Sequence, residues 1–348
     1  MAENNGPQIS VVIPARNAAA ELGLCLEAIF SSKKSSKGGG FEVIVVDDAS
    51  DDATSMVAGK YPCALLLKLP SQRGPACARN KGVGMAKGSI ILFIDSDIIV
   101  NDNTISSISD VFSKDASVSA VVGMLDEKAF HKNLPSQFFN LRKHYDYLLI
   151  NGNLSTLYTS VTAVKKDVFL EAGGFDERYT GASGEDAELG RRLFRLGRKI
   201  SLDKKIRVAH LKYHTLGSLL ASDYSRASHF IKFLIRERLA GAIVKEKRFG
   251  SFRIGSLATV SISPLLISAL LLLPFFGRAF FSRASAAAFF IIVSIFIISN
   301  LGFLKFAAKT IGWKKNLIMP ALMLIDSLAI FGGIVCGFAG FFLRGKRF

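Results

Sequence analysis

Ser89-Ile90-Ile91-Leu92-Phe93-Ile94-Asp95-Ser96-Asp97 decides how the chain is read: five apolar residues run directly into two carboxylates spaced one residue apart. A continuous apolar run rich in Ile predicts a strand buried on both faces of a mostly parallel sheet. Buried carboxylates without a partner cost several kcal/mol or more, so a strand ending in two acids calls for something positive. In an open α/β sheet, ligands bind at the carboxyl ends of the strands. A divalent cation carrying a diphosphate suits the two acids, because Mg²⁺ takes one or two protein carboxylates and completes its shell with phosphate and water. The competing reading is that Asp95 and Asp97 only cap the next turn.

Working back toward the N-terminus, Ile9 to Pro14 reads as a strand, and Leu22, Leu26, Ile29 and Phe30 recur at helical spacing between Ala18 and Ser32. A Lys/Ser/Gly loop leads into a second apolar strand, Val43 to Val46, which ends at Asp47-Asp48. A helix at Thr54 to Ala58, a strand at Ala64 to Leu69 and a helix from Ala76 to Ala86 complete the approach to the organising strand, with Pro75 at the helix start. Strand and helix alternate throughout, which predicts a doubly wound α/β sheet. Right-handed crossovers then bring Asp47/Asp48 and Asp95/Asp97 to one sheet edge, where Arg79 offers a guanidinium for phosphate or base. Gly82-Val83-Gly84 and Gly88 fall late in a helix and carry no dinucleotide fingerprint.

These motifs carry a resemblance. Val11-Val12-Ile13-Pro14-Ala15-Arg16-Asn17, Val45 to Thr54, Arg79-Asn80-Lys81-Gly82 and Asp95-Ser96-Asp97 resemble the family 2 glycosyltransferases of the GT-A fold, the last stretch matching the DxD motif. The resemblance covers roughly residues 8–215. It implies inverting transfer of a sugar from a UDP- or GDP-sugar donor. Pro14, Ala15, Asn17, Asp48, Arg79 and Asp95 are thereby expected to line the nucleotide-sugar site, and Asp97 to hold Mg²⁺ or Mn²⁺. His210 is expected as a second metal ligand, although a lone His is more often structural.

Beyond Asp97 the pattern is that of an acceptor half. Strands are expected at Val118 to Met124 and Leu157 to Val164. Between them, His131 to Ile150 carries aromatic and apolar residues at helical spacing, suited to covering an acceptor or docking on lipid. Ala172-Gly173-Gly174-Phe175-Asp176-Glu177 and Gly184-Glu185-Asp186 precede a helix through Leu189, Leu193 and Leu196 that stops at Gly197. An acidic pair at a helix start favours the dipole on its own account. By its order after DxD it resembles the family's ED motif, which makes Asp186 the expected base for the acceptor oxygen and Glu185 its support. Arg191 and Arg192 either face a diphosphate or belong to a solvated helix face.

The net charge of +16 and the 28 Phe among 348 residues point to an anionic membrane surface. Nucleic acid fits poorly, since the basic residues are not interleaved with a stacking platform. The four cysteines show no CxxC spacing and read as reduced packing residues. Residues 216–256 alternate apolar clusters with Arg and Lys, as in one or two interfacial amphipathic helices. Three apolar stretches follow, at about 257–276, 286–304 and 317–343, each long enough for a membrane span. The third contains Asp326, whose place near one end suits the interface or a partner on another helix. The expected organisation is a GT-A domain over 1–215 (nucleotide half 8–100, acceptor half 101–215), juxtamembrane helices over 216–256 and a transmembrane region over 257–348. The polar N-terminus lacks an apolar signal region, so the catalytic domain is expected on the cytoplasmic side of a multi-pass inner-membrane protein.

The expected acceptor is lipid-linked or a glycan, and polyprenyl phosphate is the alternative within the same chemistry. A processive synthase is disfavoured, because no Gln-x-x-Arg-Trp element follows Asp186. A sugar nucleotidyltransferase would need a glycine-rich basic loop after the first strand, where Ala15-Arg16-Asn17-Ala18 stands instead. A non-catalytic scaffold with a decayed nucleotide domain would be expected to lose its acids first, yet all four of Asp48, Asp95, Asp97 and Asp186 are present.

Overall fold

The computed structural model describes residues 8–32, 40–62, 64–181, 184–239, 248–249, 252–253, 283–343 and 345. The chain divides into two compact units: Met1–His131 with Tyr147–Tyr213, and Lys132–Asp146 with His214–Phe348.

The first unit is built on an eight-stranded sheet. Its strands are β1 Ile9–Ala15, β2 Phe41–Asp47, β3 Ala64–Lys68, β4 Ile90–Ile94, β5 Ile98–Val100, β6 Val118–Leu125, β7 Val161–Lys165 and β8 Lys199–His210, in the order β3-β2-β1-β4-β7-β6-β8-β5. The β3-β2-β1-β4 half is parallel, and every residue of β4 is buried, as its unbroken apolar run requires. The expected doubly wound sheet is thus present, but it is mixed. β7 enters antiparallel between β4 and β6, and β5 pairs antiparallel with β8, setting Ile98 opposite His210. That last register brings the residue after Asp97 alongside the last residue of β8.

Helices α1 Ala19–Ser32, α2 Thr54–Gly59, α3 Pro75–Met85, α4 Thr104–Lys114, α6 Lys166–Glu171 and α7 Glu185–Arg195 connect the strands. α1 turns Leu22, Cys25, Leu26 and Ile29 inward, a stripe of the kind that covers a sheet. Cys25 and Cys77 are free thiols and buried. Arg192 is not on a solvated face. It pairs with Glu188 and donates to the carbonyls of Ala172 and Gly174, and so fastens the Gly173-Gly174 turn to α7. Arg191 is buried and lies over the Phe194 ring.

The second unit contains most of α5 Leu134–Leu148, with α8 Leu216–Leu239, α9 Arg283–Ile311, α10 Trp313–Asn316 and α11 Met319–Leu343. The first expected span, 257–276, lies outside the described residues. The other two correspond to α9 and α11, where Val293–Ile311 and Met319–Leu343 are long and apolar enough to cross a membrane. Past α8, the amphipathic pattern does not continue as a helix over the described residues: Arg248–Phe249 and Phe252–Arg253 pair as a short antiparallel ladder. α5 lays its aromatic face on α9, with Phe138 edge-on to Phe303, and Tyr145 and His144 stacked on Phe306.

α8 is not simply amphipathic, because Asp223, Lys232 and Glu237 are buried. Its neighbour α11 approaches so closely that a Cβ at Gly337 would strike the backbone of Ser228. Asp326 is buried at this junction and meets a partner on another helix. Arg142 from α5 donates to both Asp326 and Asp223, and Arg226 pairs with the other oxygen of Asp223. Burying these charges is tolerable only because they are paired.

Candidate active site

Two loops at the carboxyl ends of β1 and β2 fix one another. Asn17 Oδ1 accepts the Asp51 N–H at 2.9 Å, the Asn17 N–H donates to Ser50 Oγ at 3.0 Å, and the Ala18 N–H to Thr54 Oγ1 at 2.8 Å. Asn17 and Ala49 hold positive φ values of 46° and 55°. Such strain in non-glycine residues persists where surrounding bonds over-determine it, as at ligand sites. Pro14 and Ala15 form the end of β1, and the Ala15 carbonyl accepts the Asp48 N–H.

The acids of this edge divide their work. Asp47 faces inward, accepting from the Ser50 N–H and the Ser55 hydroxyl. Asp48 accepts the Arg73 and Gly74 N–H groups at 2.7 and 2.8 Å, which holds the loop before α3 over the end of β2.

Arg79 occupies the centre. It is 3% exposed and donates to Asp95 Oδ1 at 2.7 Å and to Glu185 Oε1 at 2.9 Å, with the Phe175 ring 5.5 Å away. Its two paired N–H groups therefore face carboxylates, not an open phosphate cradle. The next residue pins the second motif. Asn80 exchanges two 2.9 Å bonds with the backbone of Phe175 and donates to Glu177 at 3.1 Å. Neither bridge has a local signal, for each spans 95 residues or more. One α3 dipeptide thus ties the DxD carboxylate to both the Gly-Gly-Phe turn and the Glu-Asp pair.

α7 begins at Glu185, after Gly184 at φ 98°, a conformation that suits glycine. Glu185 is 3% exposed, and its Oε2 has no hydrogen-bond partner among the described residues. Burial, with the neighbouring Glu185 charge adding to it, pushes the Asp186 carboxyl up to about 7, against the opposing pull of Arg79. A carboxylate of this proton affinity is suited to taking a proton near neutral pH.

At the far end of the DxD motif, Asp97 Oδ2 lies 3.2 Å from His210 Nε2. Burial raises the Asp97 carboxyl, but His210 and Lys212 outweigh it and hold the group below its ordinary range. Among the described residues no cluster of three or more His, Cys, Asp or Glu could hold a metal. Two donors nevertheless fit a phosphate-borne cation. Adjacent ligands of an octahedron with bonds of about 2.1 Å sit about 3 Å apart, close to this pair, and the remaining positions go to phosphate and water.

The structure thus brings Arg79, Asp95, Glu185 and Asp186 into one connected group and sets Asp97 beside His210. Phe175, Asn80 and Lys212 are the contributors that the motifs left unassigned.

Residues 10–172 match the family described as "Glycosyl transferase family 2". The chain is 27% identical over 247 residues to a validoxylamine A glucosyltransferase of Streptomyces hygroscopicus, covering 61% of this chain and 58% of that one. It is 28% identical over 214 residues to a pre-mycofactocin glycosyltransferase of Mycobacterium tuberculosis, covering 58% and 42%. It therefore spans about half the length of these relatives. In fold it is similar to the mannosyltransferase PcManGT of Pyrobaculum calidifontis, solved with GDP-Man and Mn²⁺, with a TM-score of 0.57, 18% identity, and 89% and 88% of the two chains covered. Residues 10–172 thus carry the match to glycosyltransferase family 2, and the fold around them is GT-A-like.

Proposed function

We propose that the protein is a membrane-anchored, metal-dependent inverting glycosyltransferase. It moves a sugar from a UDP- or GDP-sugar to a lipid-linked or glycan acceptor, with its catalytic domain on the cytoplasmic face. The observation that carries this reading is the Asp95–Arg79–Glu185 bridge, which joins the donor-side carboxylate to the helix start bearing Asp186.

Asp186 takes the proton of the acceptor hydroxyl as that oxygen attacks the anomeric carbon of the donor. The bond from that carbon to the phosphate oxygen breaks with its electron pair leaving on the nucleoside diphosphate, and the configuration inverts. Asp97 and His210 would hold Mg²⁺ or Mn²⁺, whose charge offsets that of the departing diphosphate. Pro14, Ala15, Asn17 and Asp48 line the nucleotide side. Arg79 works as a positioning residue: it holds Glu185 in place and tempers the proton affinity of Asp186. Support for a divalent cation and a nucleotide-sugar donor comes from the GDP-Man and Mn²⁺ held by PcManGT. Support for anchoring comes from the two apolar helices α9 and α11.

The test is release of nucleoside diphosphate from a panel of UDP-, GDP- and TDP-sugars by the detergent-solubilised full chain, with Mn²⁺ and with EDTA. Turnover of a donor that EDTA abolishes is expected. Absence of both turnover and nucleotide binding across the panel would refute the reading.

A further inference from the structure

We propose that Phe130 and Tyr213 form an aromatic platform that stacks on a sugar ring of the acceptor, beside the metal-side edge of the site; this rests on the glycosyltransferase reading above. Both rings are strongly exposed, at 49% and 57%. Single exposed apolar side chains are ordinary, but these two are held by a common histidine. The His131 ring lies 5.1 Å from each, at 85° to Phe130 and 89° to Tyr213.

The histidine is itself fixed to the site. Its Nε2 is 2.8 Å from the Leu211 carbonyl oxygen, which makes Nε2 the protonated nitrogen. The Leu211 N–H donates in turn to the Asp97 carbonyl at 2.8 Å. Two hydrogen bonds therefore separate the platform from the backbone of Asp97. Lys212, between Leu211 and Tyr213, is exposed and near enough for its charge to act on the Asp97 carboxylate.

The surroundings select the occupant. A patch made for lipid tails would continue into apolar neighbours, and one made for anionic headgroups would be uniformly basic. Here Asp126, Glu127, Lys128, Lys132 and Lys212 flank the rings in sequence, polar residues of both signs. A pyranose matches that combination, with an apolar C–H face for the rings and hydroxyls for polar neighbours, as small-ligand sites pair aromatic walls with a few polar groups.

The experiment is saturation-transfer NMR on the full chain in detergent, using methyl α-D-glucopyranoside and methyl α-D-mannopyranoside as probes. The parent is compared with the Phe130→Ala/Tyr213→Ala double variant and with Tyr213→Phe, and thermal unfolding reports the folded state of each. Expected is saturation of at least one glycoside by the parent, weakened about tenfold in affinity in the double variant and retained in Tyr213→Phe, as loss of aromatic contact implies. Equal saturation in parent and double variant would overturn the platform. So would the absence of saturation together with weaker binding of the double variant to phosphatidylglycerol vesicles, which would assign the rings to the bilayer. Mn²⁺-dependent nucleotide binding, read on the parent in the same sample, tests the glycosyltransferase reading separately, because its failure leaves the glycoside result interpretable.

Discussion

Replacing Arg79 by Met removes a guanidinium from between two carboxylates while leaving much of its volume in place. The two partners respond differently. The Asp95 side chain is 31% exposed and is rehydrated, whereas Glu185 at 4% has no access to water. Nearly all of the cost therefore falls on Glu185, and breaking a buried pair on one side costs about 3–5 kcal/mol. For a unit of this size each kcal/mol moves the unfolding midpoint by about 2–4 °C, so the catalytic domain is expected to melt roughly 6–20 °C lower. A second effect is independent of stability. Arg79 pulls the Asp186 carboxyl down, so its loss lets burial and Glu185 raise that group above about 7 and shifts the pH profile of turnover to higher pH. Arg79→Lys keeps the charge but not the two-pronged span, and is expected to fall between the two. Thermal unfolding followed by circular dichroism, with rate measured against pH, checks both effects. A shift smaller than about 2 °C with an unmoved pH midpoint would refute the bridge as a positioning device.

Other consequences follow from the same geometry. Turnover of the parent should fall about tenfold per pH unit below pH 7 and level off above it, because Asp186 must be ionised to accept a proton; a rate–pH profile checks this. His210→Ala should raise the Mn²⁺ concentration needed for half-maximal turnover by about tenfold or more, with Asp97 left to hold the cation. Arg142→Leu should destabilise the helical unit by about 3–5 kcal/mol, since Arg226 still pairs with Asp223 but Asp326 loses its cation. Adding Asp326→Leu to Arg142→Leu should recover much of that loss, which thermal unfolding in detergent measures.

How far the sequence foretells this arrangement depends on the distance over which each feature is encoded. β4 and its two terminal acids are local, and an unbroken Ile-rich run admits little else, so Asp95 and Asp97 emerge where expected. The alternation from β1 to β4 is legible for the same reason. The insertion of β7 between β4 and β6 is not, because Val161–Lys165 alternates no differently for a parallel or an antiparallel neighbour. β5 escapes a pattern reading as well: Ile98–Val100 is a three-residue strand, too short to stand out from the apolar background around the DxD motif. Arg79 illustrates a further limit. Its motif is visible as a cation near a nucleotide edge, but its engagement with Glu185 depends on a partner 106 residues away. In α8 the periodicity indicates an interfacial helix, whereas the buried Asp223 owes its place to Arg142 and Arg226. Periodicity says which residues share a face and not what covers it.

The role of Asp186 as the base is tested most directly by the turnover of Asp186→Asn beside the parent, on the donor and acceptor that the panel identifies. The substitution keeps the shape of the side chain and removes its ability to take the proton. Expected is a fall in kcat of about 10²–10⁴ with nucleotide affinity and thermal stability preserved. A variant that retained kcat within about threefold of the parent would contradict that role, since general-base catalysis contributes at least about a hundredfold.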